Sequence, residues 1–273
     1  MKTKIIKIHS ENNDYQYIET LGRNRTKRNR AGIFFVEGVQ AITQAVDNHW
    51  EIDSLVYSRG KRLSNWAEGI IGNVNADRHF VLPIDLIGNL SQKQEPSEII
   101  ALVKMPLDDL SRIPVKKNLL IVVLDRPSSP GNLGTVIRSC DAMGVDGLII
   151  TGHATDLYDP KTIRATTGSF FCLPMVRLPS HRELIPWLEM VRTQLDGFQV
   201  VGSSAKAKIP LFEHDLGLPT VLLVGNETNG LSDNYQALCD SMVAIPMFGS
   251  TSSLNVACAT SILLYEIARQ RGE

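Results

Sequence analysis

Cysteine is scarce in this 273-residue chain: four residues, at 140, 172, 239 and 258, with no C-x-x-C spacing. Such scatter offers neither a zinc framework nor a disulfide ladder, so no metal is expected. Cys140, Cys172 and Cys258 stand among apolar or small residues and read as buried thiols, whereas the environment of Cys239, beside Asp240, is undefined. Aromatic residues are few, at 6%. Charge of either sign is not in excess: the net charge is −1 and the pI near 6.6, so any affinity for nucleic acid must come from a local patch. No run of about 18 apolar residues is long enough to span a membrane, and "MKTKIIKIHS" lacks the apolar core of a signal peptide. A cytoplasmic protein without a membrane partner is expected. Internal repeats and low-complexity tracts are also lacking.

What is present is 43% apolar residues, enough for one large domain or two small ones. In the first part, helical potential over 14–32 precedes a strand at 32–38 ("GIFFVEG"), a helix over 39–48 and strands at 52–58, 79–84 and 99–104. This alternation reads as a small α/β unit. The polar stretch 105–118, with two prolines, reads as a linker, giving domains of 1–112 and 113–273. In the second part, apolar runs at 119–124, 146–151, 198–202, 220–225 and 242–246 suit a parallel sheet covered on both faces. Helices are expected at 132–143, 181–195 and 253–270. The last is apolar nearly all round and should pack on the sheet or on a partner.

Three loops carry the polar chemistry. "SSPGNLGTVIRS" (128–139) follows a strand but has neither the G-x-G-x-x-G of a dinucleotide site nor the Lys-Ser/Thr of a P-loop. What remains is Asn132, as a helix N-cap or a site residue, and Arg138, which needs Asp141 or a ligand anion as partner. "LVGNETNGLS" (223–232) places Glu227 between Gly225 and Gly230 at the C-terminal end of a strand, where α/β sheets hold their ligands. A strand ending in glycine also lets a ligand approach the backbone closely. "IPMFGSTSSLNVA" (245–257) opens the apolar helix, with Ser252 or Ser253 as its N-cap. Asn255 falls within the first turn and reads as a packing lock or a site residue.

Together the three loops resemble the three motifs of the SpoU/TrmH group of SPOUT-type RNA methyltransferases: "SPGNLGTVIR" (129–138), "LVGNETNGLS" (223–232) and "IPMFGSTSSLNVACATSILLYE" (245–266). "DPKTIRATTGSFFCLP" (159–174) resembles the segment joining the first two. "RNRTKRNRAGIFFVEGVQAI" (23–42) resembles the start of the ribosomal-protein L30e-like RNA-binding domain that many members carry. The resemblance implies a parallel α/β sheet with a C-terminal deep trefoil knot, a smaller N-terminal α/β RNA-binding domain, a homodimer and S-adenosylmethionine as cofactor. It implies methylation of a ribose 2′-hydroxyl, in ribosomal RNA in view of the two-domain plan. A tRNA 2′-O-methyltransferase and a non-catalytic RNA-binding protein of the same fold are the alternatives.

Carried over by position, the resemblance assigns Asn132, Arg138, Glu227, Ser253 and Asn255 to catalysis, and Leu223, Gly225, Ile245, Met247 and Leu254 to the cofactor. Thr228 departs from a common glycine, and "STSS" precedes Leu254 where an apolar or acidic residue is commoner. Arginine is a permanent cation, so Arg138 is better suited to polarising a hydroxyl or anchoring a phosphate than to acting as a base. Glu227 is expected to tie loops two and three together or to hold an arginine. For gripping RNA, "LGRNRTKRNR" (21–30) has five basic residues and no acidic one. Arg23, Arg25, Lys27 and Arg28, with Arg164, are the candidates for contact with RNA.

Overall fold

The computed structural model describes residues 3–58, 60, 62–91, 93 and 95–272. The chain forms two units, Met1–Pro106 with Asp156–Cys172, and Leu107–Thr155 with Leu173–Glu273. The division is not a single cut near 112, because a stretch from the middle of the chain packs with the first unit.

In the first unit, the helical stretch near the N-terminus is broken in two. Asn24 ends α1 (Asn13–Arg23) and caps α2 (Arg25–Ala31), its side-chain oxygen accepting the Lys27 N–H at 3.0 Å. A five-stranded sheet follows the order β1-β4-β3-β5-β2. Its strands are β1 (Lys4–Lys7), β2 (Ile33–Glu37), β3 (Ile52–Tyr57), β4 (Arg78–Val81) and β5 (Ile99–Lys104). β1, β4 and β3 run parallel, while β5 is antiparallel to both β3 and β2. β1 escapes pattern reading because KIIK is short and lysine-flanked, as edge strands often are. The helices α3 (Val39–Asp47), α4 (Asn65–Asn73) and α5 (Ile84–Leu90) complete the unit's N-terminal stretch. The strand expected at 79–84 stops at Val81, and Ile84 instead starts α5 after Pro83.

The second unit contains β6 (Leu120–Asp125), α6 (Pro130–Ala142) and β7 (Gly147–Thr151). The chain then passes through α7 (Pro160–Ala165), which belongs to the first unit. It continues with β8 (Met175–Leu178), α8 (Ile185–Gln194), β9 (Gln199–Ser203), β10 (Ile209–Pro210), β11 (Thr220–Val224), α9 (Asp233–Gln236), β12 (Ser241–Ala244) and α10 (Val256–Arg271). The seven strands lie in the order β10-β12-β9-β11-β6-β7-β8, and every pairing is parallel. β6 and β11 are buried at every residue, as a sheet covered on both faces requires. One face packs Ile121, Val123, Val221 and Leu223 against Trp187, Leu188 and Val191 of α8. α10 begins at Val256, and Asn255 rather than a serine is its N-cap.

Aromatics are scarce in the chain but concentrated in the first unit. Phe34 lies 4.8 Å from Tyr158 and 5.6 Å from Phe170 between ring centroids, and Trp50 lies 5.2 Å from Phe171. The Trp50 indole N–H also donates to the Phe171 carbonyl at 3.1 Å. These rings fasten the 156–172 stretch into the unit. An ion pair does the same: the Arg28 guanidinium donates to Asp156 at 2.5 and 3.2 Å and to the Leu21 carbonyl at 2.9 Å. Arg28 is 1% exposed. It therefore departs from the expected RNA contact, since its charge is spent on a carboxylate 128 residues further along the chain.

The cysteines depart from expectation too. Only Cys140 is buried; Cys172 and Cys258 are exposed, Cys239 is half-buried, and all four are free thiols. Cys258 falls on the outward side of α10, where small size does not imply burial.

Breaking a buried ion pair from one side strands the other charge, which costs about 3–5 kcal/mol. Arg28→Met is expected to lower the first unit's unfolding free energy by about that amount in urea titration, whereas Lys27→Met, at an exposed site, should change it by less than about 0.5 kcal/mol.

Candidate active site

β6 and β11 are direct neighbours, with Leu124 opposite Val224. Their C-terminal ends therefore release loops one and two side by side. Strand order also reverses at this point: β7 and β8 continue to one side of β6, and β11 and β9 lie on the other. Crevices at such reversals are where open parallel sheets hold ligands.

The centre of the crevice is the Glu227 carboxylate. One oxygen accepts the Ser128 N–H at 2.9 Å and the Ser128 hydroxyl at 2.8 Å. The other accepts the Ser129 N–H at 3.1 Å and the Asn132 amide at 3.2 Å. The Asn132 oxygen in turn accepts the Asn255 amide at 3.1 Å, and the Asn255 oxygen accepts the Ala257 N–H at 2.8 Å. A directional chain thus runs from the start of α10, through two asparagines, to the carboxylate. Glu227 ties loop two to loop one, and the link to loop three passes through Asn132. This replaces the expected direct tie between loops two and three. Asn132 is not the cap of α6: Ser129 is, accepting the Asn132 N–H at 3.3 Å. Asn255 combines a cap with a tertiary contact.

Beside this chain lies a cavity of about 610 Å³, within the range of small-molecule and cofactor sites. Of the residues the resemblance assigns to the cofactor, Gly225, Ile245, Met247 and Leu254 line it, together with Glu227, Ser253 and Val224. The Leu223 side chain does not. It is fully buried in the opposite, core-facing layer. Side chains alternate along a strand, so it is Val224 that reaches the cavity. Gly225 is required by a different contact from the one expected: a Cβ there would overlap the Gly230 carbonyl carbon and the Leu231 nitrogen. Loop two folds back onto its own backbone at this point, with Asn226 and Gly230 bridged.

Arg138 stands apart from this network. It is exposed on α6, six residues or about 9 Å along the axis from Asn132. Among the described residues it forms no ion pair with Asp141.

Residues 119–265 match the SpoU rRNA Methylase family and residues 12–101 the SpoU L30e-like domain. Over 266 residues the chain is 47% identical to the 23S rRNA (uridine(2479)-2'-O)-methyltransferase of Streptomyces viridochromogenes, covering 97% of this chain and 92% of that one. The chain belongs to the SpoU rRNA methylase family. The crystal structure of the SpoU methyltransferase AviRb from Streptomyces viridochromogenes in complex with AdoMet superposes with a TM-score of 0.87 at 46% identity, covering 95% of this chain and 99% of that one. The AdoMet-bound rRNA methyltransferase from Sinorhizobium meliloti superposes with a TM-score of 0.85 at 29% identity, covering 97% and 98%.

Several residues that build this crevice carry no sequence signal strong enough to single them out. Asp125 ends β6 and is buried. It pairs with Arg126 at 2.8 Å and accepts the Ser232 N–H at 2.9 Å, fixing the far end of loop two. A carboxylate closing an otherwise apolar strand was the available clue. Asn226 donates to the Arg126 carbonyl at 2.7 Å and accepts the Thr228 N–H at 2.9 Å. Thr228 therefore takes its place in a turn closed by Asn226, while Gly230 holds the left-handed conformation at φ 65°. The departure at 228 needs no glycine. Ser203, Ser204 and Lys206, after β9, also line the cavity. Of the RNA candidates in the first unit, Arg23 pairs with Glu19 at 3.0 Å, and Arg25, Lys27 and Arg164 are exposed. No cluster of three metal-ligating side chains occurs among the described residues.

Burial opposes ionisation of Glu227. The hydrogen bonds from main-chain N–H groups, the Ser128 hydroxyl and the Asn132 amide outweigh it and hold the carboxyl below its ordinary value of 4.5. A depressed carboxyl stabilises the fold fully above its unfolded value, and the gain fades as pH falls through the folded value. The contribution of Glu227 to the second unit's unfolding free energy in urea titration is thus expected to be level from about pH 8 to 5 and to fade in more acidic solution. In Glu227→Gln one oxygen becomes a donor facing Ser128 or Ser129, and stability at neutral pH should drop by about 1 kcal/mol, without that acid limb.

Proposed function

We propose that this chain transfers a methyl group from S-adenosylmethionine to a ribose 2′-hydroxyl of 23S ribosomal RNA. The observation that carries the reading is the Glu227–Asn132–Asn255 chain at the edge of the 610 Å³ cavity. It joins all three loops, as a site divided between cofactor and substrate requires, and relatives of the same plan carry this activity in their names. The cavity suits the cofactor: Val224, Ile245, Met247 and Leu254 offer apolar walls for a base, and Lys206 offers a cation for a carboxylate. When bound, S-adenosylmethionine supplies an electrophilic methyl group on a sulfonium, and no metal is needed. Asn132 and Asn255 fix the loop edges at which the ribose is held.

Arg138 supplies a permanent cation to polarise the hydroxyl or hold the adjacent phosphate. Its position outside the Glu227 network favours action across a subunit interface. A homodimer would allow that. α10 exposes Cys258, Ile262 at 40% and Tyr265 at 60%, spaced along one face, beside its buried face. A second copy would cover this stripe, as two-fold interfaces do. We further place a trefoil knot in the segment leading to α10, and the site of action in the cytoplasm with the ribosome. In the first unit, the L30e-like match and the exposed Arg25, Lys27 and Arg164 support RNA binding. Phe248, 97% exposed beside Met247 of the cavity, gives a base near the target a surface to stack on.

The test is methyl transfer from labelled cofactor to ribosomal RNA, with the product mapped by resistance to alkaline cleavage. One protected 2′-O position in 23S RNA is expected; a methyl on a base, or transfer only to tRNA, would contradict the reading. Arg138→Ala should lose at least about 100-fold in turnover while cofactor affinity changes less than twofold. An equal loss of both would refute the division of roles.

A further inference from the structure

A second concave site lies wholly within the first unit, between α1 and α2, with a volume of about 440 Å³. Its chemistry follows from two helical repeats. On α1, Asn13, Gln16, Tyr17 and Thr20 recur at the three- and four-residue spacing that aligns side chains on one face, while Tyr15, Ile18 and Leu21 turn to the core. On α2, Lys27 and Arg30 are three residues apart and line the same hollow. The break at Asn24 sets the two faces against each other.

The basic run is sorted by the fold. Arg23 is paired with Glu19, and Arg28 is buried on Asp156. Lys27 and Arg30 are exposed and, among the described residues, form no ion pair. Tyr17 is half-buried, its ring set by the Arg78 guanidinium 6.0 Å from its centroid. A preset aromatic ring, two unpaired cations and three neutral hydrogen-bonding side chains around one hollow are the recognition set for an unpaired nucleotide: ring for base, cations for flanking phosphates, amides and hydroxyl for base edges and ribose.

We propose that this hollow binds a single unstacked nucleotide of the substrate RNA, with the base on Tyr17 and its phosphates on Lys27 and Arg30. The assignment rests on the RNA reading above, and adds a specific site outside the methyl-transfer unit.

The test uses the full chain and a fluorescein-labelled single-stranded RNA hexamer, followed by anisotropy across a salt series. Tyr17→Leu should weaken binding about 10-fold, and Tyr17→Phe should stay within about twofold of the parent. Lys27→Gln with Arg30→Gln should reduce the slope of log affinity against log salt by about 1.4, or about 0.7 for each of two phosphates. An abasic hexamer should bind the unaltered chain about 10-fold more weakly and should not distinguish Tyr17→Leu from the parent. A parent that binds abasic and intact hexamers equally overturns the proposal without recourse to a variant. So does a salt-slope change without any Tyr17 effect, which would leave only a charged surface. Free UMP should compete only on the order of 1 mM; competition in the micromolar range would make this a free-nucleotide site and overturn the RNA assignment. Methyl transfer is scored separately. An active enzyme whose Tyr17→Leu variant binds RNA normally loses this site and keeps its function. A chain inactive on ribosomal RNA that still binds through Tyr17 loses the function and keeps the site.

Discussion

The site in the second unit depends on one carboxylate. Loops one, two and three come from different parts of the chain, and each is too polar to be held by burial. Glu227 resolves this by accepting from two main-chain N–H groups, a hydroxyl and an amide of loop one at 2.8–3.2 Å. An ionised carboxylate is suited to the task because it only accepts, and each bond to a charged group is stronger than its neutral counterpart. Asn132 in turn accepts from Asn255, whose amide donates to it while its oxygen accepts the Ala257 N–H. The side of the crevice nearest the cavity is therefore built before any ligand arrives, which spares binding the cost of ordering three loops.

The sheet brings these loops together through β6 and β11, neighbours in space but separated in sequence by β7 to β10. Asp125 and Asn226 reinforce the junction from below, so loop two is pinned at both ends. The first unit is built on a comparable long-range pairing. Arg28 and Asp156, together with five aromatic rings, draw the 156–172 stretch into a domain whose other residues lie before 107. The chain linking β7 to β8 of the methyltransferase sheet is thus part of the fold of the other unit.

Much of this was legible in the residues. The apolar runs located every long strand of the second unit, and the three polar loops were found because they interrupt those runs at strand ends. What stayed hidden depends on register or on distant partners. Leu223 and Val224 are both apolar, and only the pleat decides which faces the cavity. Arg28 is one of five basic residues in ten, and nothing near it in sequence announces Asp156. Gly225 signalled a close approach, but the approaching group is Gly230–Leu231 of its own loop. The strands β1, β8 and β10 and the helices α4, α5, α7 and α9 escape pattern reading because each is short or weakly patterned.

The most direct test of the central claim is amide hydrogen exchange at Ser128 and Ser129, followed by NMR in the ligand-free chain. Ser128 is exposed, so slow exchange there requires a hydrogen-bond acceptor rather than burial. Both amides are predicted to be protected at neutral pH, and to lose most of that protection in Glu227→Gln while the strands β6 and β11 keep theirs. Exchange at the rate of an unstructured peptide in the unaltered chain would contradict the account, because the carboxylate would then not be holding the loops.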